Sequence, residues 1–201
     1  MSKETMISVA ADTPKLDAIR KVLSKGERRE INSAAAASLH ALCKRHVLNL
    51  SESRHKTADD LGAKHTGHLA MAARTMTFGA DADGGYVAVH SSGFKRVFGS
   101  FYIIPVVAKA LTIPVHHLAY GKRVSDLQRD GIKVFRPRGR DYLAMNAGGG
   151  IVPLYILARS VFMPQDRSLL PSDGEMSAAA RRGVLDVIER ALEGARAGGT
   201  P

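Results

Sequence analysis

Histidine supplies most of the residues that could do chemistry in this chain. His40, Cys43 and His46 follow one another at steps of three, and the stretch HTGH holds His65 and His68. Imidazole and thiolate are ligands that zinc prefers, so both groups are candidate metal sites. Each step of three drifts by about 60° around a helix, so the first group cannot face one ion. HTGH shares a predicted helix face but lacks the H-E-x-x-H spacing and its general-base glutamate. We predict no metal at either place.

A second candidate is the stretch AKALTIPVHHLAYGKR, residues 108–123, which predicts a short strand, two adjacent histidines and a basic exit. Histidines beside lysine and arginine are compatible with a catalytic or metal site, and equally with a surface that docks onto another protein. Neighbours in a strand point to opposite faces, so His116 and His117 are not expected to share an ion. The docking interpretation is therefore favoured.

The other motifs also predict no active site. DADGG, residues 81–85, begins like a calcium loop but lacks the later ligands, and is predicted to be a turn. The glycines at 148–150 are not followed by a helix that would aim amides at a phosphate, and no G-x-S-x-G elbow occurs. We expect no cofactor and no enzymatic activity, with an enzyme whose site is invisible in sequence order as the third alternative.

Composition limits the class of protein and its partners. The 201 residues suit one domain, and hydrophobic residues make up 45% of them, which is enough for a core. Lys and Arg number 29 against 19 Asp and Glu, a formal net charge of +10 that favours polyanionic partners. With one cysteine there is no intrachain disulfide, and no apolar run approaches the ~20 residues of a membrane helix. A soluble protein made in the cytoplasm is expected, with no membrane partner.

The periodicity predicts an α+β fold in which a small antiparallel β-sheet is flanked by helices, with a long N-terminal helical part and a C-terminal helix. In the helical part, apolar residues from Ile31 to Leu50 recur at three- and four-residue steps, while GERRE at 26–30 is expected to break the helix. Ser172 and Glu175 have capping-box spacing. We predict a flexible arm at 1–14, a single domain at 15–196 and a flexible tail at 197–201. Within the domain, 15–76 is predicted to be helical, with helices at 15–24, 31–50 and 57–75. Residues 84–162 are predicted to be mainly β with a loop or arm, and 173–196 to form the last helix.

Positive charge is concentrated between residues 109 and 140, where the only acids are Asp126 and Asp130. Arg136, Arg138 and Arg140 alternate around a glycine turn, so they are predicted to project together from a hairpin tip. Such a tip suits an acidic neighbour or phosphates. Aromatic residues for base stacking are sparse nearby, so a charge-driven contact is favoured over a sequence-reading nucleic-acid module.

Three motifs in this order resemble the virion morphogenesis or tail-completion proteins of long-tailed bacteriophages, especially the Mu-like phages. The first is AKALTIP at 108–114 followed by AYGKR at 119–123. The second is PLYILARSV at 153–161, which follows a glycine turn. The third is the P-x-D…L-P entry at 164–175 into the closing helix. The resemblance covers roughly residues 80–195.

This resemblance implies a non-enzymatic structural role at the neck of the virion, where head and tail meet. The chain would be a ring-forming subunit, expected to be hexameric, acting as tail terminator or neck connector. Its partners would be copies of itself, head-closure and tail-tube proteins, and non-specifically the genomic DNA threading the neck. The alternative function is a basic nucleic-acid-binding protein.

The sequence departs from these relatives at 92–107, where an apolar and basic stretch replaces a shorter, glycine-rich one. We expect this stretch to be an arm that packs on a neighbour. The candidate interface residues are Phe98, Phe101, Tyr102, Lys109, Pro114, Tyr120, Lys122, Arg123, Arg136, Arg138 and Arg140.

Overall fold

The computed structural model of the protein describes residues 5–8 and 24–197, and an α+β fold is confirmed. The strands of the described part form three small antiparallel sheets rather than one. The helices are α1 (Lys25–Ser53), α2 (Lys56–Asp60), α3 (His68–Arg74), α4 (Val124–Arg129) and α5 (Asp173–Ala197). The strands are β1 (Thr5–Ser8), β2 (Thr77–Ala80), β3 (Gly85–Val89), β4 (Phe101–Ile103), β5 (Leu111–Pro114), β6 (Tyr142–Ala147), β7 (Gly150–Ala158) and β8 (Val161–Met163).

The N-terminal segment differs from the predicted flexible arm. Its residues 5–8 form β1, whose backbone pairs with β3 from Thr5 opposite Val89 to Ser8 opposite Tyr86. A period-two pattern four residues long is too short to stand out in sequence. The rest of the predicted arm, the predicted helix at 15–24 up to residue 23, and residues 198–201 of the tail lie outside the described residues.

Contacts within the chain cluster into two compact units. The helical unit contains the described residues up to Ser51, then His68–Val97 and the chain from Asp166 onward. The strand unit contains Glu52–Gly67 and Phe98–Gln165. The expectation of one domain over 15–196 stays a prediction.

Helix α1 begins earlier than predicted because the charged stretch 26–30 lies inside it. The Glu27 amide donates to Ser24 Oγ at 3.3 Å, and the Ser24 amide donates to Glu27 Oε2 at 2.8 Å. This reciprocal capping box satisfies amides at the helix start, so the predicted break is wrong. The buried stripe also differs from the predicted one, since it runs through Asn32, Ala36, Leu39, Cys43 and Val47.

The core of the helical unit is built around this stripe. It contains thirteen buried residues from α1, α3, β3 and α5, from the turns at 92–97 and 167–169, and from positions 76 and 170 that follow α3 and the second turn. They are Leu39, Cys43, Val47, Leu69, Ala72, Ala73, Met76, Val87, Val89, Phe94, Leu169, Leu170 and Met176. Helix α5 begins with the predicted capping box, in which the Ser172 hydroxyl donates to Glu175 Oε2 at 2.7 Å and the Glu175 amide donates to Ser172 Oγ at 3.3 Å. Gly183 lets α5 approach α1 closely, because a Cβ there would lie 2.6 Å from Ser38 Oγ.

The helix predicted over 57–75 is broken into α2 and α3. Gly62 and Gly67 between them have φ of 59° and 65°, left-handed values that end a right-handed helix. The DADGG turn is confirmed, since Asp81 Oδ1 accepts the amides of Asp83 and Gly84 at 2.8 and 2.9 Å. This turn joins β2 to β3 in a hairpin, and β2 was not predicted.

The strand unit is built on the sheet β5-β7-β6 and the short helix α4. Its core contains only four buried residues, Ala119, Leu127, Leu154 and Tyr155. The Tyr155 hydroxyl donates to the Lys122 carbonyl at 3.0 Å, which ties the loop before α4 to β7. The predicted strands at 110–115 and within 131–162 are confirmed, with the second glycine turn at Gly148 and Gly149.

Candidate docking surface

The strand unit carries a two-stranded ribbon, β4 paired with β8. Phe101 lies opposite Met163, Tyr102 opposite Phe162 and Ile103 opposite Val161. All six residues are apolar or aromatic, so both faces of the ribbon are hydrophobic, although neighbouring side chains in a strand point to opposite sides. The Tyr102 and Phe162 rings lie 5.1 Å apart on one face, and these residues are 66% and 52% exposed. One face of the ribbon therefore presents an aromatic pair to solvent.

Residues 98–107, which we call the apolar arm, continue this exposed surface. Phe98, Ile104, Val106 and Val107 are 57%, 63%, 95% and 98% exposed. The arm is anchored where it enters the ribbon, since the Gln165 amide donates to Ser100 Oγ at 2.9 Å. The arm predicted at 92–107 therefore begins only at 98, because 92–97 forms a 3-10 turn whose Phe94 is buried in the helical unit.

The size of this surface sets it apart from the ordinary exposure of single apolar side chains. An aromatic side chain alone offers about 150–250 Å², so the arm and the aromatic pair together expose on the order of 700 Å². The largest apolar patch of a monomeric protein is typically about 300–600 Å², and larger patches mark interaction sites. At about 25 cal/mol per Å², covering this surface is worth well over 10 kcal/mol before the costs of association.

The arginine loop, residues 136–141, is the basic feature of the same unit. Arg136 Nε donates to the Arg140 carbonyl at 2.8 Å, and Arg136 Nη2 lies 2.8 Å from Asp141 Oδ1. Arg136 is therefore a brace that holds the loop rather than a third projecting charge. Arg138 and Arg140 are exposed, and neither forms an ion pair within the described part of the chain.

The remaining interface candidates are divided between structural and exposed positions. Lys122 Nζ pairs with Asp130 Oδ2 at 2.7 Å, and the Arg123 amide donates to Asp126 Oδ2 at 3.0 Å where α4 begins. Pro114 ends β5, Tyr120 and Phe101 are half-buried, and Lys109 is exposed. All eleven candidates lie in the strand unit. Phe162, Ile104, Val106 and Val107 were missed as individual residues, although VFM at 161–163 is as apolar as FYI at 101–103.

The paired histidines do not point apart as predicted. The strand ends at Pro114, so both residues lie beyond it, and the His116 and His117 rings are 4.2 Å apart. His116 Nδ1 accepts the Leu118 amide at 3.3 Å. Desolvation, and then the neighbouring His117, holds the pKa of His116 below its ordinary value of 6.5. The pair is part of the turn that leads to the buried Ala119.

The other chemically suggestive residues have structural partners. Cys43 lies in the core, where burial raises the pKa of its thiol to about 11. His40 Nε2 donates to the Met76 carbonyl at 3.2 Å, and His46 Nε2 to the Ser168 carbonyl at 3.0 Å. His65 does not share a helix with His68, since it lies in the loop between α2 and α3.

Instead, the His65 ring stacks on His55 at a centroid distance of 3.6 Å, and its Nε2 donates to Asp59 Oδ1 at 2.9 Å. Among the described side chains, no three His, Cys, Asp or Glu residues are grouped so that they could hold a metal ion. None of the helices described is both long and apolar enough to cross a membrane.

Comparisons with protein-family models, with curated proteins and with solved structures find no match to this chain. The candidate surface is an exposed apolar ribbon and arm, with a basic loop in the same unit.

Proposed function

We propose that this chain is a structural protein of a tailed bacteriophage virion that joins tail to head or completes the tail. In this proposal it works as a ring-forming subunit at the neck, in contact with head-closure and tail-tube proteins. The observation that carries the proposal is the apolar arm with its ribbon. A surface of this size is costly in water and suited to burial in an assembly. The motif resemblance at 108–123 and 153–175 supports the choice of assembly.

The arginine loop supports a second contact in the same assembly. Arg138 and Arg140 can pair with carboxylates of an acidic neighbouring ring or with phosphates of DNA in the neck. Arg136 fixes the shape of the loop through the Arg140 carbonyl and Asp141, so the backbone that carries the Arg138 and Arg140 side chains is held before any partner arrives.

Electron microscopy of lysates from a phage that lacks this gene tests the proposed function. We expect filled heads beside separate tails, or tails of uncontrolled length. Separate tails of normal length indicate a joining role, and irregular lengths indicate a tail terminator. Complete, infectious virions in the absence of the gene would contradict the proposal.

Charge reversal tests the loop separately. The variant Arg138→Glu with Arg140→Glu keeps the Arg136 brace, so the loop should fold while the yield of infectious particles falls. Lys56→Glu with Lys64→Glu is the matched control, because it makes the same charge change at exposed positions of the same unit. Equal yields from both variants would remove the loop from the proposed interface.

Nucleic-acid binding is the second candidate function, and the same two arginines favour it. Fluorescence anisotropy of a labelled duplex at 50–200 mM salt distinguishes the two. With two or three phosphate contacts, the logarithm of the binding constant should fall only slowly as the logarithm of the salt concentration rises. The slope is near −0.9 for each contact. Affinity of about 10⁻⁸ M at physiological salt would favour a DNA-binding function, since specific binding reaches this range.

A further inference from the structure

The ribbon of β4 and β8 is apolar on both faces, and the face with Tyr102 and Phe162 is exposed. A ribbon of two strands is marginal in water unless a further layer covers it. On one face Phe101, Val161 and Met163 are half-buried and Ile103 is 39% exposed, while on the other face Tyr102 and Phe162 are more exposed, at 66% and 52%. The exposed face therefore needs a cover that accepts two aromatic rings side by side.

The helical unit contains a groove with suitable chemistry, between α1 and α5. Its volume is about 390 Å³, in the range of about 300–1,000 Å³ found for pockets that bury a small ligand. Small side chains make up half of its lining, together with one leucine, two arginines and Glu175. The lining residues are Ser38, Ala41, Leu42, Arg45, Glu175, Ala178, Ala179 and Arg182.

We infer that the aromatic pair Tyr102 and Phe162 of one copy docks into the α1–α5 groove of a second copy of this chain. This inference depends on the proposed function, because it names the partner that covers the ribbon in the assembly. The contact joins two different surfaces, so it is heterologous. Repeated from copy to copy, such contacts form a ring when the rotation between copies closes.

Three properties make the groove the counterpart of the aromatic pair. Alanine at positions 41, 178 and 179 leaves space where longer side chains would fill the groove. Arg45 and Arg182 are exposed lining residues, so their guanidinium groups can lie over the faces of docked aromatic rings. A docked tyrosine keeps its hydroxyl at a polar edge, which the exposed charged groups of the lining supply.

The size of the exposed surface favours a protein partner of this kind. In this inference the aromatic pair enters the groove and the rest of the ribbon and arm packs around it. Together they expose on the order of 700 Å², close to the ~800 Å² that each partner contributes to a standard protein–protein interface. The same chain supplies both halves of the contact, so every subunit of a ring can donate its ribbon and accept its neighbour's.

Cysteine cross-linking between two separately tagged variants tests the inference. Full-length Ser160→Cys, at an exposed position two residues before Phe162 that leaves both rings in place, is mixed with full-length Ala178→Cys under mild oxidation. We expect a disulfide-linked dimer containing one chain of each kind, formed at least about tenfold faster than with the control, since docking raises the effective concentration of the thiols. The control partner is Ala147→Cys, which is exposed in the strand unit. The native Cys43 interferes little, because it is buried.

Sedimentation of the unmodified protein from low to high micromolar concentration, together with Tyr102→Asp, completes the test. Self-association that Tyr102→Asp abolishes, together with the selective cross-link, would establish the inference. Self-association without the 160–178 cross-link would overturn the groove as partner and leave the proposed function standing. A monomer at every concentration without that cross-link would overturn the inference as well.

Vesicles of phosphatidylglycerol serve as the competing probe. Binding to them that is lost in Tyr102→Asp, with no cross-link between copies, would make a lipid surface the partner and overturn the inference. The proposed function is tested separately. Complete virions in the lysate of the phage that lacks this gene would contradict it, whatever the cross-linking shows.

Discussion

The two units of this protein use apolar residues in opposite ways. In the described residues, the helical unit buries thirteen residues in its core and the strand unit four. The large apolar side chains that stay exposed number four in the helical unit and nine in the strand unit. A unit with few buried and many exposed apolar groups is incomplete by itself. In the described residues, the helical unit therefore holds most of the buried core and the strand unit most of the exposed apolar side chains.

Truncation of a core leucine in the strand unit should cause the largest loss of stability among these variants. Leu127→Ala truncates one of the four residues in the core cluster of the strand unit, and we expect a loss of about 3 kcal/mol in the free energy of unfolding. Hydrogen exchange should show the loss of protection concentrated at 98–165. Leu39→Ala is the control in the larger core. Equal loss of protection across both units in Leu127→Ala would contradict a separate, weaker strand unit.

A methyl group at Gly183 tests the close packing of α1 and α5 in the helical unit. In Gly183→Ala the added Cβ meets the Ala34 carbonyl oxygen and lies 2.6 Å from Ser38 Oγ, so α1 and α5 must separate. We expect a loss of about 2 kcal/mol, measured by chemical denaturation. Gly174→Ala in the same helix is the control, since nothing lies within 4 Å of its added Cβ. A stability for Gly183→Ala like that of this control would contradict the close approach.

Loss of one hydroxyl should have a smaller effect within the strand unit. Tyr155→Phe removes the donor to the Lys122 carbonyl, and we expect a cost of about 1 kcal/mol. The melting temperature of the variant checks this. Tyr142→Phe on β6 is the comparison and should stay close to the parent protein. A neutral Tyr155→Phe would show that the loop before α4 is held by other contacts.

The smallest predicted effect is a pH dependence at the start of α5. Hydrogen bonds from the Ser172 side chain and then its backbone hold the pKa of Glu175 below its ordinary value of 4.5. Because the folded-state pKa is lowered, this contribution to stability is present above about pH 4.5 and is lost as the pH falls through the folded value. The melting temperatures of the parent and Glu175→Gln should therefore converge between pH 6 and pH 3. A difference that stays constant over this range would contradict the contribution of the carboxylate.

The sequence predicted turns and helix caps whose hydrogen bonds join residues only two or three positions apart. The turn at DADGG and the box at Ser172 and Glu175 depend on neighbouring residues, and both are confirmed. The early start of α1 was missed because the charge of GERRE concealed the Ser24–Glu27 cap. The helix predicted over 57–75 is split because the φ values of Gly62 and Gly67 are left-handed, and the apolar spacing does not reveal such values.

The candidate surface depends on pairings that sequence reasoning cannot supply. Arg138 and Arg140 were predicted as exposed charges, but the brace from Arg136 to Arg140 and Asp141 appears only in the folded loop. Tyr102 was a candidate from the start, whereas Phe162, its ring partner, is 60 positions away in sequence and was not. The α1–α5 groove depends on the packing of two helices at Gly183, and nothing local to either helix predicts it.

The distance in sequence between β4 and β8 also has a consequence for the order of events during synthesis. Tyr102 is made early, but its partner Phe162 emerges from the ribosome only after β5, β6 and β7 have been made. Pairings between distant segments form late, because the loop between them must close first. The docking ribbon therefore comes into existence only when the sheet that carries it is complete. Nascent chains lack the finished ribbon, so in the proposed assembly no contact through the ribbon can form before the subunit has folded.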